Sequence, residues 1–124
     1  IYEGMTDDAL RCVSAIRARF DGAKRNPFSE PECGHHYARS MASWSLIPAL
    51  SAFHYSGVDK SMSITSADGE WFWSNGSAWG TVSNADGHAT LNVIEGRLEL
   101  NRFISGTRTF KTKVALEAGQ SYEF

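Results

Sequence analysis

The chain has 124 residues, of which 42% are hydrophobic and 21% are charged, and its formal net charge is −2. This length suits one domain and is about half of what a (β/α)8 barrel needs. Acidic and basic residues are balanced in both halves of the chain, so the composition argues against a nucleic-acid partner. The longest apolar stretch, residues 41–53, contains Pro48 and serines and is shorter than the roughly 20 apolar residues of a membrane span. We therefore expect a soluble protein.

The composition changes near Gly57. All three prolines and both cysteines precede it, whereas turn-forming Gly, Asn and Asp residues punctuate the sequence after it. The chain therefore divides into a helical segment, residues 1–57, and a β region, residues 58–124.

The first predicted helix begins at Thr6, whose hydroxyl is a candidate N-cap, and ends before Gly22. Two acids, Asp7 and Asp8, follow the cap, where the helix dipole favours them. Its apolar residues recur every three or four positions, as on one face of a helix, at Leu10, Val13, Ile16 and Phe20. These features predict an amphipathic helix of about 14 residues, a common length.

A second helix is predicted from His35 to Phe53, after a loop that contains Pro27 and Pro31. Its side chains are small or apolar on nearly every face, which predicts burial on all sides. Pro48 lacks an amide hydrogen, so we expect a kink near Trp44.

Beyond Gly57 the sequence predicts an antiparallel meander of six to seven short strands. Pairs of residues suited to positive φ separate the strands. The predicted strands are 61–66, 70–74, 77–83, 88–94, 97–104 and 109–116, with a short one ending at Phe124.

The densest polar cluster runs from Arg25 to Arg39, at the start of the second helix. Buried charges need partners or water, so the cluster is either a network of ion pairs or the wall of a polar-ligand pocket. Metal binding is not favoured, because no second pair of ligands follows the Cys and His residues of the cluster at the spacing that is usual in zinc fingers. Cys33 could form a disulfide with Cys12, could be a nucleophile or could be an inert buried thiol; we favour the last.

A concentration of tryptophans in the β region offers a second candidate site. Trp71 and Trp73 share one strand face, and with Trp79 they could stack against sugar rings. Aromatic side chains on short strands more often cover a core, and both interpretations stay open.

Residues 21–44 resemble the signature of glycoside hydrolase family 116, which includes non-lysosomal glucosylceramidases (bile-acid β-glucosidases) and prokaryotic β-glucosidases and β-xylosidases. The similarity covers roughly residues 5–57. It rests on five stretches, Asp21-Gly22, Arg25-Asn26-Pro27-Phe28-Ser29-Glu30, Glu32-Cys33-Gly34, His36-Tyr37-Ala38-Arg39 and Met41-Ala42-Ser43-Trp44.

The resemblance implies an α+β fold, in which the last two helices of an (α/α)6 glycosidase barrel precede the β-meander. It also implies a β-glucoside or β-xyloside substrate of the parent enzyme and no cofactor. Glu30 and Arg39 stand where the family holds glucose hydroxyls in the −1 pocket. A carboxylate and a guanidinium suit that task, because the first accepts and the second donates hydrogen bonds.

Two departures from the family pattern bear on function. Phe28 and Ser29 stand where the family usually has tryptophan and asparagine. The family's catalytic glutamate and aspartate lie upstream of the signature, so the resemblance implies a C-terminal fragment of a retaining β-glucosidase that is inactive alone. We expect such a fragment to associate with the rest of its parent chain or with itself. The alternative is a non-catalytic carbohydrate-binding or assembly module that uses the tryptophans, and the compartment is left open.

Overall fold

The computed structural model describes residues 1–19 and 44–124, and strands make up 52% of those residues. The chain forms two units, Ile1–Leu50 and Ser51–Phe124. The boundary between them lies before the composition change at Gly57. All seven described strands belong to the second unit.

Helix α1 spans Thr6–Arg17 in the first unit, so a helix begins where the sequence predicts one. The predicted cap is wrong, because Met5 holds the N-cap position and no side chain caps the helix. Asp8 instead pairs with Arg11 one turn later, at 3.0 Å between Oδ1 and Nη2. No residue of α1 is buried, so its apolar stripe does not pack in a core.

The predicted second helix is described only from residue 44 onward. Helix α2 spans Leu46–Ser51 and follows a turn at Ser45. Pro48 has no amide to donate to the carbonyl of Trp44, which accounts for that turn. Trp44 is 69% exposed, so burial on all sides, which we predicted from the apolar composition, is wrong at this end of the helix. The helix also ends before Phe53, because Ala52 adopts a φ of +50°.

The second unit is a curled sheet built on one long strand, β5, which pairs with four of the other strands. The strands are β1 (His54–Ser56), β2 (Ser61–Ile64), β3 (Gly69–Ser74), β4 (Ala78–Ala85), β5 (His88–Ser105), β6 (Arg108–Glu117) and β7 (Ser121–Glu123). The order runs β1-β2-β5-β4-β3, while β6 and β7 also pair with β5. Strand β5 has antiparallel partners in β4, β6 and β7 and a parallel partner in β2.

The predicted fold class, two barrel helices followed by a meander of short strands, is therefore wrong. Glu95 and Gly96 do not form the predicted turn. Gly96 has a φ of +84° and lies so close to Ser77 that a Cβ on it would approach the backbone oxygen of Ser77 to 2.2 Å. The glycine therefore keeps the strand continuous and allows neighbours to pair along both of its halves. The parallel pairing of β2 with β5 is also incompatible with a simple meander.

The core lies on one face of the curled sheet. Its fully buried residues include Trp73, Phe103 and Leu91. At its edge, the rings of Phe103 and Phe124 stack at 4.1 Å between centroids, inclined by 15°. Burial of large rings and aliphatic side chains supplies most of the stabilisation of such a fold.

Candidate functional site

The signature that resembles family 116 cannot be placed in the fold, because residues 20–43 lie outside the described residues. Glu30 and Arg39, the predicted sugar-binding pair, fall in this range. So do the cysteine and the two histidines that were weighed as metal ligands, Cys33, His35 and His36. Cys12 is described and is an exposed free thiol.

The three candidate tryptophans of the β region do not form a single platform. Trp73 is fully buried with 0% exposure, so its indole packs the core and has no face open to a ligand. Trp71 shares that strand face and packs against the edge of the core. Its indole N–H donates to the backbone oxygen of Ala67 at 2.9 Å. Both side chains therefore serve the fold.

Trp79 lies on the opposite, outer face of the sheet and is 38% exposed. Its neighbour there is Phe72, which is 53% exposed, with ring centroids 6.3 Å apart and planes inclined by 39°. Side chains alternate between the two faces of a strand, so the alternation that places Trp71 and Trp73 inside places Phe72 outside. Phe72 is not among the predicted stacking residues, although the periodicity of the strand contains the signal that places it on the outer face.

Glu95 completes the environment of Trp79. The two residues are opposite each other in the β4–β5 ladder, and the indole N–H of Trp79 donates to Oε2 of Glu95 at 3.3 Å. A bulge follows at once, because Trp79 pairs with Glu95 whereas Gly80 pairs with Val93. The extra residue, Ile94, shifts the alternation of side chains by one position. Val93 is therefore buried, whereas Ile94 and Glu95 are both exposed. The bulge thus leaves Glu95 on the outer face beside the indole.

A small open cavity of about 330 Å³ adjoins this pair. Ser74, at the end of β3, and Ser77, in the turn before β4, also line it. The turn is fixed by Asn75, whose Oδ1 accepts from the amides of Ser77 and Ala78 at 2.9 Å each. Trp79, Glu95 and the two serines therefore line one open cavity, and side chains of these types can pack against a ring and accept or donate hydrogen bonds.

Charged side chains occupy the outer surface of β5 and β6. Glu99 accepts from Lys60 Nζ at 2.5 Å and from Arg97 Nη2 at 2.8 Å. The hydrogen bond from Lys60, followed by the one from Arg97, holds the pKa of Glu99 below its ordinary value. Arg97 also pairs with Glu117 at 3.2 Å. This network links neighbouring strands and needs no ligand.

A shallow groove next to this network is lined by three cations, Arg102, Lys111 and Lys113, and by Asp59. In the part of the chain that the structure describes, no group of three or more Cys, His, Asp or Glu side chains could hold a metal ion. Neither described helix has the length and apolarity needed to cross a bilayer.

Comparison with known proteins adds no assignment to this geometry. No protein-family model matches the sequence, and no curated protein matches it.

Proposed function

We propose that this chain is part of a retaining β-glucosidase that is similar to glycoside hydrolase family 116, and that Glu30 and Arg39 bind the glucosyl unit. The observation that carries the proposal is the run of shared motifs between Asp21 and Trp44. The carboxylate of Glu30 accepts hydrogen bonds from two neighbouring sugar hydroxyls, while Arg39 donates to oxygen and balances the charge. Contacts of this kind orient the sugar and strengthen in the transition state.

The chain contributes binding rather than bond cleavage in this proposal. Retaining glycosidases need two carboxyl groups about 5 Å apart, one as nucleophile and one as acid and base. In the family that the sequence resembles, both precede the shared signature. Glu30 and Glu32 are close in sequence, but the resemblance gives only Glu30 a role, and that role is to hold the sugar.

An assay of the 124-residue chain tests this division of labour. We expect no release of nitrophenol from p-nitrophenyl β-glucoside above the background rate. Release of nitrophenol that is lost in a Glu30→Gln variant and kept in a Glu70→Gln variant would contradict it. Glu70 is an exposed carboxylate on β3 and serves as the matched control.

A non-catalytic carbohydrate-binding module is the second candidate function, and the exposed Phe72–Trp79 pair favours it. The aromatic side chains concerned differ from the set that the sequence suggested, because Trp71 and Trp73 face the core. Titration of the chain with glucosides, followed by tryptophan fluorescence, tests this role. We expect quenching in the wild type and reduced quenching in Trp79→Phe, whereas quenching that a Glu30→Ala variant abolishes would favour the first function.

A further inference from the structure

We propose that the cavity beside the Trp79–Glu95 pair is a subsite for one neutral pyranose ring, and that Phe72 extends it toward a second ring. This proposal rests on the carbohydrate-binding role and names its ligand class and residues. It does not depend on Glu30 or Arg39, which belong to the other function.

The aromatic side chains supply the apolar part of the subsite. Phe72 and Trp79 are large rings on a sheet face whose other members near them, Ser74 and Thr81, are small and polar. Each ring would gain from removing its face from water. The C–H face of a pyranose is a flat apolar surface that matches an indole, whereas the hydroxyl groups around the ring remain free to form hydrogen bonds.

The polar part of the subsite is a carboxylate with spare capacity. One oxygen of Glu95 accepts the indole N–H, and no ion pair engages Glu95 among the residues that the structure describes. A carboxylate has about four acceptor positions, so Glu95 can still accept from two adjacent sugar hydroxyls. Ser74 and Ser77 add hydroxyls that both donate and accept.

Charge and size favour a sugar over a cationic ligand. An ammonium group would be attracted by Glu95 and the rings, but it would not use the spare donor and acceptor positions of Ser74 and Ser77 as fully as a sugar with several hydroxyls. The cavity volume of about 330 Å³ lies at the lower end of the range for small-molecule sites. This volume suits one ring in the cavity, while Phe72 neighbours Trp79 and is not part of the cavity wall.

Calorimetric titration of the 124-residue chain with methyl β-glucopyranoside and with cellobiose tests the subsite. We expect Trp79→Ala and Glu95→Gln each to weaken the binding of both sugars by about tenfold or more, the worth of one stacked ring or one charged hydrogen bond. Phe72→Ala should leave the monosaccharide affinity unchanged and weaken cellobiose binding about threefold.

Two control variants match the chemistry that is removed. Trp44→Ala removes an exposed indole outside the β unit, and Glu70→Gln neutralises an exposed carboxylate at the other end of β3. Both should bind like the wild type. Circular dichroism verifies folding, and Glu95→Gln, which keeps the size and shape of the side chain, carries the test if Trp79→Ala does not fold.

The outcomes separate the subsite from the function on which it rests. Sugar affinity that is unchanged in Trp79→Ala and Glu95→Gln would overturn the subsite, while showing that the chain binds sugar at another surface. Absence of sugar binding by the wild type would overturn both. Tetramethylammonium that binds at this cavity in place of either sugar would overturn the assignment of a neutral ligand.

Discussion

Individual residues decide how closely β4 and β5 approach each other. A Cβ on Gly80 would lie 1.9 Å from the backbone oxygen of Asn92 and 3.1 Å from the ring of Trp73. Both distances are below normal van der Waals contact, so only glycine allows the strands to pair here while the indole of Trp73 fills the core. The requirement comes from space, because Gly80 has no positive φ.

Replacement of Gly80 by alanine should therefore destabilise the fold by about 3 kcal/mol or more, at the upper end for an overpacked site. Chemical denaturation followed by tryptophan fluorescence measures the free energy of unfolding. Gly57→Ala is the control, since a Cβ there meets nothing closer than 3.7 Å. Equal stabilities of the two variants would contradict the account of Gly80.

The surface pair of Lys60 and Glu99 makes stability depend on pH. The pKa of Glu99 is lower in the folded chain than its ordinary value, so the pair stabilises the fold above the unfolded pKa of about 4.3. That stabilisation is lost in acid, as the pH falls through the folded pKa.

Carbon NMR titration of the Glu99 carboxyl tests this dependence directly. In Lys60→Met the pKa of Glu99 should rise toward the ordinary value, because the hydrogen bond that lowers it most is lost. Lys111→Met removes a cation that has no ion pair among the described residues and should leave the pKa of Glu99 unchanged. A Glu99 pKa that both variants shift equally would point to general surface charge instead.

Among the elements, β5 organises the second unit because it has strand neighbours on both sides near each end. Strands β4 and β7 border its first half, and β2 and β6 border its second half. Backbone hydrogen bonds from β7 and the turn before it continue this edge, with Val93 and Gln120 joined at 3.0 Å. By contrast, β1 has three residues and pairs with β2 alone in the described chain.

Hydrogen exchange should reflect this difference. Amides at Leu91, Leu98 and Leu100 in β5 should exchange most slowly, at rates set by global unfolding, whereas those of β1 should exchange through local opening. Exchange measured residue by residue by NMR provides the comparison. Protection of β1 that equals that of β5 would mean that the whole sheet opens as one unit.

Local signals in the sequence predict hairpins but not the partners of distant strands. Asp86 and Gly87 form a turn between β4 and β5, with φ values of +52° and +81°, as their residue types favour. Glu95 and Gly96 carry a similar local signal, yet pairing with other strands keeps β5 continuous. The parallel contact of β2 with β5 joins residues about 40 positions apart, and only tertiary packing selects it.

Because local signals do not predict which strands pair, the sequence predicts only part of the candidate site. The residue type of Trp79 is enough to make it a candidate. The residue types of Glu95 and Gly96, however, predict a turn, and a turn there would not place Glu95 opposite Trp79 in a ladder. The bulge at Ile94, which leaves Glu95 facing outward, lies opposite the step from Trp79 to Gly80 and has no local sequence signal. Alternation along β3 did contain the information needed to place Phe72 outside.

At the scale of the whole molecule, the hydrophobic core of the described residues belongs to the second unit. Every buried hydrophobic side chain among them lies between Met62 and Leu116. In the first unit, by contrast, the described apolar side chains include exposed ones such as Met5, Ile16 and Trp44. Self-association through such side chains stays a prediction, which light scattering can test.

Residues 51–124 should accordingly fold without the preceding segment. Expressed alone, they should show β-type circular dichroism and a cooperative unfolding transition, because the core and the strands that enclose it are all present. A matched variant, Phe103→Ala, should lose about 3–5 kcal/mol of stability or fail to fold. An unfolded wild-type segment would contradict the independence of this unit.

The proposed role of Glu30 in sugar binding is the central functional claim, and enzyme kinetics on the longer β-glucosidase chain that the proposal implies test it most directly. For Glu30→Gln we predict a loss of about 10²-fold in kcat/KM for p-nitrophenyl β-glucoside, the worth of a charged hydrogen bond to the sugar. Glu70→Gln should leave kcat/KM unchanged. Equal kcat/KM values for Glu30→Gln and the wild type would contradict the claim.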